Sequence, residues 1–373
     1  MTFFKLLKTK GKARAGLIST FHGDIPTPIF MPVGTRASVK TMWQSQLSEI
    51  GAKIILGNTY HLYLRPGHEL IGRIGDLHTF MSWKGPILTD SGGYQVFSLS
   101  KLNKVSEEGV RFQSHLDGST HMLSPEKSME IQRALGSDIV MAFDECPELP
   151  ATYGRLKESM ELTVRWAKRS RDFELRPYQN LFGIIQGGLH LDLRSQCLEQ
   201  LREMNFEGFA LGGLSVGEKN QEMLEFLDQF VCQMPRERPR YLMGVGTPID
   251  VLQGIRLGLD MFDCVLPTRN ARNGQLLTQH GPLNIKKERF KEDLLPPDPD
   301  CECKVCKTYS RAYLRHLFMV GEFLAGSLAT YHNLYFYLNM VQKAREAILS
   351  EKEEAFDEYF DKFYNLYTSK NLD

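Results

Sequence analysis

Three of the chain's seven cysteines fall within six residues, as Cys301-x-Cys303-x2-Cys306. That spacing lets three thiolates share one divalent ion, and a downstream histidine, His316 or His332, can supply the fourth tetrahedral position. Four protein ligands leave no place for a reacting water, so such a site is structural. Four other polar residues stand out by position. Asp90 (ILTDSGG), Asp144 (VMAFDEC) and Gln186 (GIIQGG) each end a short apolar run, and Asp263 sits inside one (MFDCVLP). An ionisable group within a buried strand is costly unless it is paired or used. Each of the other three, taken singly, reads equally well as a turn or helix-cap residue, and the glycines beside them as ordinary punctuation. Together they describe a polar ring with little bulk, suited to a flat hydrogen-bonding ligand.

Such a ring needs elements that bring its members to one place. From Thr27 to about Thr268 the text alternates short β-rich runs with amphipathic stretches of helical period: PIFMPV, AKIILGN, PILTD, DIVMAFD, LFGIIQ, GFALGG, YLMGVG and MFDCVLP are the runs. Most are continuously apolar, as in strands covered on both faces. The spacers include PEKSMEIQRAL, YGRLKESMELTVRWAKRSRDF, LDLRSQCLEQLREM and NQEMLEFLDQFVCQM. Eight βα units predict a closed (β/α)8 TIM barrel, with an open doubly wound sheet as the alternative, and in a barrel the strand ends carry the active site. Two places break the rhythm. Residues 94–124 alternate around Asp117-Gly118, which predicts an inserted β-hairpin. Beyond residue 270 come a short β stretch, a Pro-rich turn, the cysteines and two aromatic-rich helices. The expected division is thus a catalytic barrel over 1–270, with an N-terminal β segment, and a C-terminal zinc-binding subdomain over 271–373.

Lys plus Arg and Asp plus Glu both number 45, so no global field drives the chain onto a polyanion and any nucleic-acid site is a local patch. The basic start MTFFKLLKTKGKARAG lacks an apolar signal core, and no run is long enough to span a bilayer. A cytoplasmic protein without membrane association is expected, and an odd cysteine count without a secretion signal argues against a disulfide framework. Cys197, Cys232 and Cys264 read as buried thiols.

LTDSGGYQVFSLS, FDEC, GIIQGG, ALGGLSVGE, YLMGVGTP, FDCVLPTRNARNG and CECKVC with a later His, in this order, resemble tRNA-guanine transglycosylase. The likeness also takes in IFMPVGT and NTYHLYLRPG, nearly the whole chain. It implies a zinc-bearing barrel that exchanges guanine at the wobble position of tRNAs with GUN anticodons (Asp, Asn, His, Tyr) for a 7-substituted 7-deazaguanine. The partners implied are the tRNA anticodon stem-loop, guanine and a second copy of the chain in a homodimer.

In the matching positions Asp263 is the nucleophile at C1′ of the ribose and Asp90 the general acid and base for the leaving and entering bases. A glycosidic bond breaks through an oxocarbenium-like state that a carboxylate can trap, while a second acid protonates the departing base. Ser91, Gly92, Gly93 and Tyr94 follow Asp90 into the base pocket, which Cys146, Gly212 and Leu214 complete. Asp144 can accept from N1 and the exocyclic amine of guanine, and Gln186 and the Gly213 N–H can donate to O6. Tyr94 and Met243 sandwich the ring, although Met243 reads equally as core. Cys146 and Val216 match the bacterial branch, which uses the aminomethyl precursor preQ1, and the chain ends without the RNA-binding extension of archaeal members. The RNA backbone is expected on Gly244, Val245, Gly246, Thr247, Pro248, Ile249 and Asp250, on Thr268, Arg269, Asn270, Ala271 and Arg272, and on Lys286 and Lys287. Arg289, Arg311 and Arg315 extend that basic stripe. The resemblance places the fourth zinc ligand at His332. Two rival readings stand beside it: a zinc-dependent barrel hydrolase that uses the aspartates as ligands, and an RNA-binding partner subunit without activity, which would lack the carboxylates present here.

Overall fold

The apolar runs become short parallel strands because each is covered on both faces. The computed structural model describes residues 2–99, 103–148 and 150–369. An antiparallel sheet of β1 (Phe4–Lys10), β2 (Ala13–Thr20) and β3 (Gly23–Thr27) comes first. The next strands are β4 (Ile29–Met31), β5 (Val33–Gly34), β6 (Ile55–Gly57) and β7 (Ile87–Thr89). An insertion then contributes β8 (Asn103–Ser106), β9 (Gly109–Gln113) and β10 (Thr120–Leu123). The parallel series resumes with β11 (Ile139–Met141), β12 (Asn180–Ile185), β13 (Gly208–Leu211), β14 (Arg240–Leu242) and β15 (Met261–Asp263). A small antiparallel pair, β16 (Gln275–Thr278) and β17 (Gly281–Asn284), follows.

β4 and β5 are one stave interrupted at Pro32, which has no N–H for a ladder. β4 pairs with β15 and β5 with β6, so the sheet closes on itself as an eight-stave barrel. Alternate residues point inward: Met31, Leu56, Leu88, Ile184, Ala210, Tyr241 and Met261 pack together with Phe4, Ile18 and Ile25 of the first sheet. That sheet therefore plugs the end where the parallel strands begin. There Arg14 and Asp260, both buried, pair at 2.9 Å.

Strand parity fixes what the other end presents. Two residues beyond Leu56, Leu88, Ile184, Ala210, Tyr241 and Met261 on the same inward rows lie Asn58, Asp90, Gln186, Gly212, Met243 and Asp263. A period of two thus turns a hydrophobic barrel core into a polar mouth within one step.

The spacer helices form as read, at Pro125–Leu135, Tyr153–Arg171, Leu191–Glu203 and Asn220–Phe230. The insertion is richer than a hairpin. β9 and β10 form the expected pair around the turn that holds Asp117-Gly118, but β8 adds a third strand and Gly93–Leu99 is helical. The insertion is anchored at both ends: Arg165 grips Glu107 at 2.9 Å, Trp166 Nε1 donates to Glu107 O at 2.8 Å, and Tyr60 and Tyr63 pair with His115 and His121, each at 2.8 Å. Among the described residues the C-terminal region has four α-helices rather than two, at Lys304–Thr308, Arg311–Val320, Phe323–Leu349 and Ala355–Thr368.

Helix Phe323–Leu349 lies on β4 and against helices Pro248–Arg256 and Leu266–Arg272, in the place of the eighth barrel helix. Its Tyr337 ring is 4.6 Å from Phe30 and its Arg345 donates to Gly16 O at 2.8 Å. Among the described residues no helix is long and apolar enough to cross a membrane.

Candidate active site

A cavity of about 370 Å³ opens at the carboxyl end of the strands. Of the residues singled out from sequence, Asp90, Ser91, Tyr94, Asp144, Cys146, Gly212, Gly213, Leu214, Met243, Gly244 and Asp263 line it, as does Val216. Gln186 does not. It lies behind the wall and its amide donates to Asp144 Oδ2 at 2.8 Å. Gly92 and Gly93 also stand back; Gly93 is required there because a Cβ would meet Asp144 O at 2.7 Å.

Asp263 is held from one side only. Its Oδ1 accepts from the Tyr241 hydroxyl at 2.5 Å and from the Gly244 N–H at 2.8 Å. Among the described residues Oδ2 has no hydrogen-bond donor and is left to the cavity. Burial pushes this carboxyl above the usual range against those two bonds. Asp90 is gripped by both oxygens: the Thr59 N–H reaches Oδ1 at 2.8 Å and the Asn58 amide reaches Oδ2. Burial, with the Asp263 charge as a further contribution, still drives it up to about 6. Asp144 accepts from Ser91 Oγ at 2.9 Å and from Gln186, and burial raises it too.

Asn58 and Tyr241 were not singled out from the sequence, yet both touch the carboxylates. Their signal was the inward row: Asn58 stands two beyond Leu56 and Tyr241 two before Met243. His61 and Gln95 also line the cavity, and they sit on helical turns where no such parity operates.

The cysteine cluster assembles around His332, not His316, which is exposed on Arg311–Val320. Cys301, Cys303 and Cys306 Sγ lie 3.8, 3.5 and 3.3 Å from His332 Nδ1. Tetrahedral bonds of about 2.3 Å to sulfur and 2.0–2.1 Å to nitrogen require S···N of about 3.6 Å. The donor set therefore fits zinc. His332 Nε2 donates to Leu277 O at 2.8 Å, which fixes the tautomer and leaves Nδ1 free to ligate. The cluster belongs to the C-terminal helices and β16, outside the cavity lining. Of the four remaining cysteines, Cys146 lines the cavity, Cys197 and Cys264 are buried as read, but Cys232 is exposed at the end of its helix.

A second group with metal-binding residue types, His22, His78 and Asp138, is of another kind. Asp138 takes four donors: His22 Nδ1 at 2.9 Å, His78 Nε2 at 3.2 Å, and the N–H groups of His22 and Ile87 at 3.1 and 3.0 Å. Its lone pairs are spent. The two imidazoles are stacked 3.6 Å apart, so their in-plane lone pairs cannot meet at one ion. This is a hydrogen-bonded lock between the first sheet and the barrel.

A family model described as queuine tRNA-ribosyltransferase matches residues 9–369. This chain belongs to the queuine tRNA-ribosyltransferase family. Proteins named queuine tRNA-ribosyltransferase are similar to it throughout: that of Fusobacterium nucleatum is 56% identical over 370 residues, covering 98% of both chains. That of Caldanaerobacter subterraneus is 56% identical over 354 residues, 95% of this chain and 94% of the relative. That of Halothermothrix orenii is 56% identical over 359 residues, 96% and 95% of the two.

Within this family member, the two stretches expected to meet RNA behave differently from residue to residue. Thr247 and Asp250 cap helix Pro248–Arg256 through mutual bonds at 2.8 and 3.3 Å. Val245 and Ala271 are fully buried, and Thr268 nearly so. Pro248 is likewise buried and Ile249 half-buried. Arg269 is exposed, Asn270 bonds Gln275, and Arg272 donates to Thr268 O at 2.8 Å. Lys286 and Lys287 are exposed. Arg311 does not extend the stripe: it is buried and paired with Asp293 at 3.0 Å. Arg315 is paired with Glu288.

Asp90 carries a pH prediction. Its folded-state value of about 6 lies above the ordinary 3.8, so the protonated form is favoured in the fold. The stabilising contribution is complete below the ordinary value and is lost as pH rises through about 6. Thermal unfolding of wild type and Asp90→Asn, compared from about pH 4 to about pH 8, should show the gap widening in the variant's favour over that window and then levelling. A gap independent of pH would place the titration elsewhere.

Proposed function

We propose that the protein is a tRNA-guanine transglycosylase that replaces guanine at the wobble position of GUN-anticodon tRNAs with preQ1, through a covalent enzyme–RNA intermediate. The observation that carries the reading is the unequal treatment of two buried carboxylates facing one cavity. Asp263, with both donors on Oδ1, offers Oδ2 to an electrophilic sugar carbon. Asp90, raised to about 6, can hold or release a proton near neutrality, as a general acid and base must. Asp263 attacks C1′ as the C1′–N9 bond of guanine breaks, and Asp90 supplies the proton the departing base needs. The entering base loses its own N9 proton to Asp90 as that nitrogen takes C1′ back from Asp263. Atoms and charges then balance without water. To reach the base, Asp90 must turn from Asn58 and Thr59, which makes those two a resting latch.

Asp144 is the acceptor for the donor edge of the base, held by Ser91 and Gln186. Tyr94, half-exposed, and Met243, both in the cavity lining, would cover its two faces. Cys146 and Val216 in the lining support preQ1 over larger 7-substituents. Cys301, Cys303, Cys306 and His332 would hold one zinc ion, whose chemistry would be the crosslinking of the 301–306 stretch to helix Phe323–Leu349, with no part in the exchange. An apolar corner with Phe323 97% exposed, beside Met319 and Val320, supports a homodimer.

The test is exchange itself. Wild-type enzyme should place radiolabelled guanine into a cognate tRNA, preQ1 should displace it, and a protein–RNA adduct should survive a denaturing gel. Hydrolysis to an abasic tRNA with no base entering would contradict the proposal. RNA affinity should also fall with salt, because Arg269, Arg272, Lys286 and Lys287 neutralise phosphates. Each removed contact should lower the slope of log K against log salt by about 0.7–0.9. An Arg269→Ala slope equal to wild type would exclude that residue from the backbone contacts.

A further inference from the structure

The peptide between Gly212 and Gly213 borders the cavity and has a free donor: among the described residues no acceptor takes the Gly213 N–H. What sets that peptide's direction is a residue outside the cavity. Arg194, on helix Leu191–Glu203, is fully buried and has no carboxylate partner among the described residues. Its three guanidinium nitrogens instead each donate to a backbone carbonyl: Nε to Gly188 O at 2.8 Å, Nη1 to Ile185 O at 2.5 Å and Nη2 to Gly212 O at 2.9 Å. The Phe226 ring lies 5.4 Å from its guanidinium carbon and seals its other side.

The consequence follows from peptide planarity. In a trans peptide the C=O and the following N–H point in opposite directions. With the Gly212 carbonyl drawn into the protein by Arg194, the Gly213 N–H must face away from it, into the cavity. Gly213 has φ +63°, and a Cβ there would stand 2.6 Å from Gln186 Oε1, so this orientation demands glycine. We propose that Arg194 is a positioning residue for base recognition: its bond to Gly212 O fixes the Gly213 N–H as the donor that reads the 6-oxo group of the purine. The inference rests on the base-exchange reading above and names the specificity determinant of that same site. Burial lowers the guanidinium's pKa to about 10, which still leaves it charged at neutral pH. Among the described residues no other side-chain cation donates to the Gly188, Ile185 or Gly212 carbonyl.

Arg194→Lys tests this, because the ammonium keeps the charge and at most two of the three bonds; Arg194→Met removes all of them. Guanine and 2-aminopurine, which lacks the 6-oxo acceptor, are compared as ligands of wild type and variants by equilibrium binding. Guanine exchange kinetics and thermal melting are measured alongside. The expected result is guanine binding weakened about tenfold, the worth of one good hydrogen bond, with 2-aminopurine binding within about twofold of wild type. KM for guanine should rise with kcat nearly unchanged. A folded Arg194→Lys whose guanine-to-2-aminopurine ratio equals wild type overturns the proposal, as does equal loss of both ligands. If Arg194→Met fails to fold, Arg194→Lys alone decides. Failure of wild type to bind guanine would instead sink the base-exchange reading and leave this one without a substrate.

Discussion

Asp263→Asn should bring base exchange down by a factor on the order of 10⁶, the scale seen when a nucleophile is removed and binding is left intact. The substitution keeps size and can keep the Tyr241 and Gly244 bonds, since both donate to Oδ1. What it removes is the free carboxylate oxygen. Labelled guanine should no longer enter tRNA, the denaturing gel should lose its adduct, and tRNA affinity should stay within a few fold of wild type. Stability should rise, because an ionisable group pushed up by burial is replaced by a neutral one. Exchange undiminished in the variant would remove Asp263 from the reaction. An adduct that persists would point to another nucleophile, and Cys264 is the neighbour to examine, although burial pushes its thiol up to about 12.

Loss of a single sulfur from the cysteine cluster should be felt as instability. Cys306→Ser leaves three ligands around a divalent ion whose binding free energy in small zinc domains is on the order of 10 kcal/mol. Several kcal/mol of that should disappear, with a fall in Tm of roughly 10 °C or more. The damage should spread, because His332 lies on the helix that covers β4 and hydrogen-bonds to Leu277 of β16. Chelation of the wild type should reproduce it, with bound zinc counted by atomic absorption before and after. A chelated protein that melts as before but cannot turn over would support the hydrolase alternative, in which the metal takes part in the reaction.

Much of this was legible in the letters. Continuous apolar runs gave the staves, and the amphipathic period between them gave the helices nearly to the residue. Asp263 could be picked out because a charge inside a strand is costly unless paired or used, whereas Asp90, at a strand end, reads singly as a turn or cap residue and stood out only beside the other strand ends and through the family likeness. The three thiols declared themselves by spacing, whereas the choice between His332 and His316 lay in tertiary packing thirty residues away and came only with the family likeness. Gln186 shows the limit of reading by type: its amide can serve a base, but whether it faces the cavity or props up Asp144 depends on the glycines packed against it. Arg311 failed as a surface cation for the same reason. Nothing local distinguishes it from Arg269, and only the fold buries it against Asp293. Arg194, in a run of helix-forming residues, carried no signal at all, since its partners are carbonyl oxygens that every residue has.

The helix over β4 has a consequence for how the protein is made. β4 is among the first barrel strands to leave the ribosome, yet the surface that covers it belongs to residues 323–349, made only after every other stave. Lys8 donates to Ser350 O at 2.8 Å, joining the two ends of the chain in the same way. Contacts that span almost the entire sequence close slowly and late. During synthesis the first stave therefore stays uncovered until residues 323–349 have been made, and a chain stalled before them presents a bare apolar surface to chaperones and to other nascent chains.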